Sequence, residues 1–176
     1  MKNIASRFAK IQFTEKSAPF AFLAACILGF GLMIPSLGFY MDDWPYVFYA
    51  YNKGIASLRE MLLYDSRPYA AWLYILAFKI LGFKPLYWHI AALLMRWLTV
   101  VLFWKVLSTI WPNRTRETIS IALLFAVYPF FMLQPFAVGS THHWVGFIFF
   151  NLSLYLMVLA VQQKKYLWLI VPAALL

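Results

Sequence analysis

SAPFAFLAACILGFGLMIPSLGFYM, residues Ser17 to Met41, contains no charged side chain and is followed at once by Asp42-Asp43-Trp44-Pro45. A run of this length reaches across a hydrocarbon core of roughly 30 Å only if it is helical. Its residues do not alternate between polar and apolar, as a β-barrel strand of roughly ten residues would; Leu, Ala, Phe and Ile fall on every face. Lipid offers the backbone no hydrogen-bond partner, so the amides must be satisfied within the span. The stretch therefore reads as a transmembrane helix with a carboxylate pair at its exit.

The rest of the chain agrees with that reading. Of 176 residues, 64% are hydrophobic, 20% aromatic and 12% charged, which excludes an ordinary soluble domain. A second uncharged run extends from Ile119 to Val138. The formal net charge of +9 raises the question of nucleic acid, but Lys and Arg are scattered through short loops between apolar runs and gather on no soluble face, so no nucleic-acid partner is expected. Cys26, the single cysteine, lies inside the first run and reads as core packing, with neither disulfide nor thiolate metal cluster available to it. The basic segment Met1 to Lys16 precedes an apolar run too long for a signal peptide, which makes that run an uncleaved first span.

The fold class that follows is all-α, a polytopic transmembrane helical bundle. Lys2, Arg7, Lys10 and Lys16 place a tail over 1–17 in the cytoplasm, span one over 19–40, and the next segment outside. Residues 41–84 form an external loop with juxtamembrane helices, Pro45 suiting a first helical turn and Gly54 a C-terminal cap. Pro68 to Gly82 decides the topology. Counted as a span, it would put Lys105, Arg114, Arg116, Lys164 and Lys165 outside, against the charge rule; laid along the interface, it returns Arg114 and Arg116 to the cytoplasm. Span two then covers 85–110, span three 119–135 and span four 144–161, with Phe136 to His143 as an external loop. Residues 166–176 begin a fifth span at about half the needed length, so the chain is expected to be a fragment of a larger membrane protein, ahead of the alternative that a partner completes its final helix.

Five places carry potential chemistry. Asp42 and Asp43 would act as a general base or hold a divalent cation as cofactor, or else would simply terminate span one and cap the next helix. Arg67, before Pro68, suits a phosphate or an ordinary headgroup anchor. Lys79 and Lys84 share the anchoring reading. Arg96 lies well inside span two, where an ionisable residue faces a cavity or a partner, and His89 stands seven residues earlier on nearly the same face, so the two would line a polar track. His142 and His143, in the second external loop, would touch a substrate phosphate or sugar, or stay solvated. No Gly-rich phosphate loop, zinc spacing or nucleophile elbow is present.

A basic tail, a span, external Asp42-Asp43-Trp44, Arg67-Pro68 leading into an interfacial helix, and Gly82-Phe83-Lys84-Pro85-Leu86-Tyr87-Trp88-His89 entering the next span together resemble the GT-C glycosyltransferases. The order looks most like the N-terminal part of bacterial polytopic enzymes related to protein O-mannosyltransferases and aminoarabinose transferases. Tyr128-Pro129 and the stretch from Gln134 to Trp144 are similar to that family's next hairpin. The resemblance covers nearly the whole chain. It implies a GT-C-like N-terminal portion, residence in a bacterial inner membrane among its lipids, and a sugar donor carried on a polyprenyl phosphate. Asp43, placed ahead of Asp42, would activate an acceptor hydroxyl for attack on the anomeric carbon. Arg67, with Arg96 or a divalent metal, would stabilise the departing lipid phosphate. Family members usually have many more spans and a soluble C-terminal domain that helps select the acceptor, neither of which is in this sequence. The competing expectation is a non-catalytic membrane subunit or a transporter that binds a lipid or solute, with Arg96 and His89 on its pathway.

Overall fold

A computed structural model describes residues 14–128 and 134–169 of the chain. Among these, every regular element is helical. Three helices are long and apolar enough to cross a membrane, over Ala18–Ser36, Pro85–Ile110 and Thr141–Gln162, and their length and composition mark an integral membrane protein. Their outward side chains agree: Phe20, Leu28 and Leu32 are each more than half exposed, a surface that water would not tolerate at this density and lipid would.

The first of these is not a uniform helix. It runs as α1, Ala18–Cys26, then widens into a π-helical turn over Ile27–Gly31 and ends in a 3-10 turn over Ile34–Ser36. Pro35 sits inside the last turn, where its missing N–H and its ring oppose further helix, and from Leu37 the backbone is extended. The span expected over 19–40 therefore leaves its helix four residues early, so Leu37 to Tyr40 form a strap leading to the carboxylates.

Between the first two long helices lie α2 (Asp43–Lys53), α3 (Leu58–Tyr64) and α4 (Ala71–Leu81), the last preceded by a 3-10 turn over Pro68–Ala70. At about 1.5 Å per residue, the apolar segment Pro68–Leu81 measures about 21 Å, short of a crossing. It ends at Gly82, whose φ of 63° and ψ of -147° are open to glycine alone. Pro85 then opens α5 (Pro85–Ile110) at the first helical position, where proline costs nothing.

α5 is the axis of the molecule, packing against α1, against α6 (Thr115–Ala126) and most extensively against α7 (Thr141–Gln162). Trp97 donates its indole N–H to the Pro19 carbonyl at 2.8 Å, and Gln162 donates to the Thr109 carbonyl at 2.8 Å, tying the far ends of both neighbours to α5. Two cores meet along it. One gathers Phe22, Cys26, Val100, Trp104, Ile119 and Ala122 among the long helices. The other places Tyr46, Leu58, Leu62, Tyr74, Phe78 and Trp88 beneath α2, α3 and α4, closed by Val138 and Trp144.

Two expected boundaries differ. The third span, expected over 119–135, is described as helix from Thr115 to Ala126, about 18 Å long, and its residues 129–133 lie outside the described residues. The fourth, expected from 144, starts at Thr141, so His142 and His143 belong to a helix and not to a loop. Residues 1–13 of the expected tail and 170–176 of the last segment also lie outside the described residues.

Candidate functional site

At the end of the strap, Met41 adopts a φ of 35°, which reverses the chain and makes Asp42 the residue before α2 and Asp43 its first residue. Neither carboxylate caps α2 in the usual way. Asp43 is fully buried and looks outward from its own helix: Oδ1 accepts the backbone N–H of Val138 at 2.9 Å and of Gly139 at 2.8 Å, and Oδ2 accepts that of Tyr40 at 3.3 Å. Burial pushes its carboxyl above the ordinary range, against the opposing pull of these amide donors. Asp43 is thus a clamp between two segments far apart in sequence. Both its oxygens already face N–H groups, and the side chain is fully buried. Asp43, placed ahead of Asp42 in the sequence reading, does not line the cavity that Asp42 borders.

Asp42 is exposed, and its position is set by Gly139. A Cβ on Gly139 would lie 3.2 Å from both the Asp42 Cβ and the Asp42 carbonyl oxygen, closer than most side chains approach, so any larger residue would push the two segments apart by a few tenths of an ångström. From there Asp42 lines a cavity of about 560 Å³. Tyr46 and Tyr49 follow it at intervals of four and three residues, a helical spacing that puts all three on one face of α2. Tyr64 at the end of α3 adds a further ring. Ser66, with φ 59°, turns the chain so that Asp65 and Arg67 both border the cavity, 3.6 Å apart and half exposed.

His142 and His143 close the opposite wall from the first turn of α7, their rings 3.9 Å apart. Behind them stands Tyr74 of α4, fully buried and stacked on Tyr46 at 4.4 Å. Its hydroxyl lies 2.7 Å from His142 Nδ1 and 3.1 Å from the Gly139 carbonyl oxygen.

The other face of α2 has a different character. Trp44, Val47, Phe48 and Tyr51 border an open groove of about 420 Å³, completed by Phe39, Phe83 and Pro85. Nearly all of its lining is apolar. One helix thus separates a polar, aromatic cavity from an apolar groove.

Asp42, Arg67, His142 and His143, singled out from the sequence, therefore meet in one place. Arg96 and His89 do not line this cavity. Arg96 is buried; it donates from Nε to Gln134 Oε1 at 3.2 Å and from Nη1 to the Ala126 carbonyl at 3.2 Å, with its guanidinium over the rings of Phe30 and Trp144. Gln134 donates in turn to the His89 carbonyl at 3.3 Å, and His89 Nε2 donates to the Gly38 carbonyl at 2.8 Å. These contacts join Arg96, Gln134, His89 and Gly38 in one internal hydrogen-bonded chain. The void beside Arg96 has no room for a water molecule.

Tyr46, Tyr49, Tyr64, Asp65, Tyr74 and Gly139 were not anticipated. The spacing of Asp42, Tyr46 and Tyr49 carried a usable signal; Tyr74 and Gly139 are brought in by tertiary packing alone. Among the described residues no three His, Cys, Asp or Glu side chains converge as a metal cluster. Comparison of the chain with protein-family models, with curated proteins and with solved structures returns no match.

Proposed function

We propose that the chain belongs to a membrane glycosyltransferase of GT-C type, moving a sugar from a polyprenyl-phosphate carrier to an acceptor hydroxyl. The observation that carries this reading is the two-sidedness of α2. A polar cavity with a carboxylate, an arginine, two histidines and tyrosine rings lies on one face, and an apolar groove on the other. A ligand that is polar at one end and a hydrocarbon at the other matches that division, and the ordered motifs of the sequence supply the reaction. Asp42, exposed and without a backbone donor, takes the proton of the acceptor hydroxyl as its oxygen forms a bond to the anomeric carbon. The bond from that carbon to the phosphate oxygen breaks, and the lipid phosphate leaves with the electron pair beside Arg67. A divalent cation, if one takes part, would meet Asp42 and not Asp43.

On this reading the cavity faces the extracytoplasmic side of a bacterial inner membrane, with the N-terminus in the cytoplasm as the basic loops require. In a C26S background, single cysteines at Lys53 and Lys164 test the orientation: a membrane-impermeant maleimide added to intact cells labels position 53 and spares 164.

The catalytic test replaces Asp42 by Asn in the full-length product and follows loss of a polyprenyl-phosphate sugar from membranes. Transfer falls by at least about 100-fold, the usual contribution of a general base. Undiminished transfer by the Asp42→Asn protein overturns the mechanism. A non-catalytic lipid-binding subunit would share the groove but would consume no donor.

A further inference from the structure

Asp42 and Arg67 leave His142 without a role, and its surroundings determine which of its nitrogens carries a proton. The Tyr74 phenol has one hydrogen, and two groups that could accept it stand at short distance, His142 Nδ1 at 2.7 Å and the Gly139 carbonyl oxygen at 3.1 Å. A carbonyl oxygen only accepts. If the phenol donated to Nδ1, that one bond would form, but its oxygen would face the Gly139 oxygen lone pair to lone pair in a buried site, an arrangement that costs free energy. If it donates to Gly139, Nδ1–H of His142 donates to the phenol oxygen, and both short contacts become hydrogen bonds. A neutral imidazole protonated at Nδ1 has a bare lone pair at Nε2. The Nδ1 edge of the ring is turned to buried Tyr74, which turns the Nε2 edge to the cavity that His142 lines. Among the described residues nothing hydrogen-bonds to that nitrogen.

The relay is held rigidly. The Gly139 N–H is fixed by Asp43 at 2.8 Å, and the Tyr74 ring lies against Tyr46 with an interplanar angle of 19°. We infer that His142 presents an unprotonated Nε2 to the cavity, where it accepts a hydrogen bond from a ligand hydroxyl, and that Tyr74 is the positioning residue that imposes this tautomer. The His142 end of the cavity then recognises a neutral, hydroxyl-rich group and disfavours an anion, which would meet a lone pair; the anion belongs at Arg67. Tyr46, Tyr49 and Tyr64 supply ring faces for the apolar side of a sugar. The tautomer stands on geometry alone, and the sugar hydroxyl as its partner rests on the function proposed above.

The test is nitrogen NMR of the full-length protein in lipid nanodiscs with histidine labelled by nitrogen-15. This chain contributes three histidines, and the His142 signals are identified as those lost in His142→Asn. At neutral pH His142 is expected to be protonated at Nδ1 and bare at Nε2, and Tyr74→Phe lowers the Nδ1–H fraction several-fold. His89, whose Nε2–H donates to Gly38, has the opposite tautomer and stays unchanged in Tyr74→Phe, which controls for folding. A dominant Nε2–H form at His142, or a Tyr74→Phe protein with the parent tautomer, overturns the inference. Adding a polyprenyl-phosphate hexose then shifts Nε2 of His142, whereas the same polyprenyl phosphate without the hexose does not. Equal shifts with both lipids, or no shift although the hexose lipid is bound and turned over, also overturn it while leaving the transferase reading in place. Failure of the hexose lipid to bind at all removes the transferase reading and the sugar hydroxyl with it. In kinetics, His142→Asn keeps a donor toward Tyr74 but loses the acceptor, and raises KM for the hexose lipid about tenfold with kcat little changed, the weight of one hydrogen bond.

Discussion

Replacing Asp43 by alanine leaves the Val138, Gly139 and Tyr40 amides facing a hole. Two of the lost bonds are short, at 2.9 and 2.8 Å, and the third is long at 3.3 Å. Bonds to a charged acceptor contribute about 1.5–3 kcal/mol each, so the two short ones amount to about 3–6 kcal/mol. Burying the carboxylate offsets part of that sum, as the upward push on its pKa indicates, and the net loss expected for Asp43→Ala is about 2–4 kcal/mol. Asp43→Asn keeps the Oδ1 acceptor but turns an NH2 toward the Tyr40 N–H, and loses about 1–2 kcal/mol. Asp42→Asn, on an exposed side chain, changes stability by no more than about 0.5 kcal/mol. Denaturant unfolding of the three variants in one detergent, followed by tryptophan fluorescence, measures all of these. The pH dependence gives an independent sign. With its folded pKa raised above 3.8, Asp43 holds its proton in the folded chain after the unfolded chain has released it. Its contribution is therefore fully present below 3.8 and declines as pH rises toward the folded pKa, and Asp43→Asn removes that slope. An Asp43→Ala protein within 0.5 kcal/mol of the parent, or an Asp42→Asn protein as unstable as Asp43→Ala, would refute the division of labour between the two carboxylates.

Three further outcomes are expected. Gly139→Ala pushes a methyl group against the Asp42 Cβ and carbonyl at 3.2 Å; unfolding experiments should show a loss of about 1–3 kcal/mol, and donor turnover should fall with it because Asp42 moves. Arg96→Lys keeps the charge but loses the planar fork and the stacking on Phe30 and Trp144, lowering stability by about 1–3 kcal/mol while leaving KM for the lipid donor unchanged. A raised KM at parent stability would return Arg96 to the ligand. Gly82→Ala forces a side chain into a backbone conformation with φ 63° and should cost about 1–3 kcal/mol in the same unfolding assay.

The long helices were legible because their cause is local. Pro85 opens α5 and a mainly apolar run, interrupted by His89, Arg96 and Lys105, carries it to Ile110. Span one ends early because Pro35 acts on backbone geometry, which a count of apolar residues does not register. The start of α7 at Thr141 carried an available sign in Ser140, a residue type common before a helix, although here its hydroxyl bonds back to the Phe136 carbonyl. Within the site, charge made Asp42, Arg67 and the histidines visible. What separates Asp42 from Asp43 is the arrival of Val138 and Gly139, about which no residue near 43 carries information. At Arg96 intramembrane charge signalled a polar partner, and Gln134 and the Ala126 main-chain carbonyl, brought in by tertiary packing, are among its partners.

The bond from Asp43 to Val138 spans 95 residues, and it imposes an order on how the protein is made. At a synthesis rate of about 5–20 residues per second, Asp43 is made about 5–20 s before the amides that will hold it. During that interval the first span is already threaded while its exit waits, a loose end with an unsatisfied carboxylate. The cavity is therefore assembled in one late step, when the segment before α7 emerges and locks against a turn made long before. A nascent chain stalled before residue 138 would have its first two long helices and no site at all.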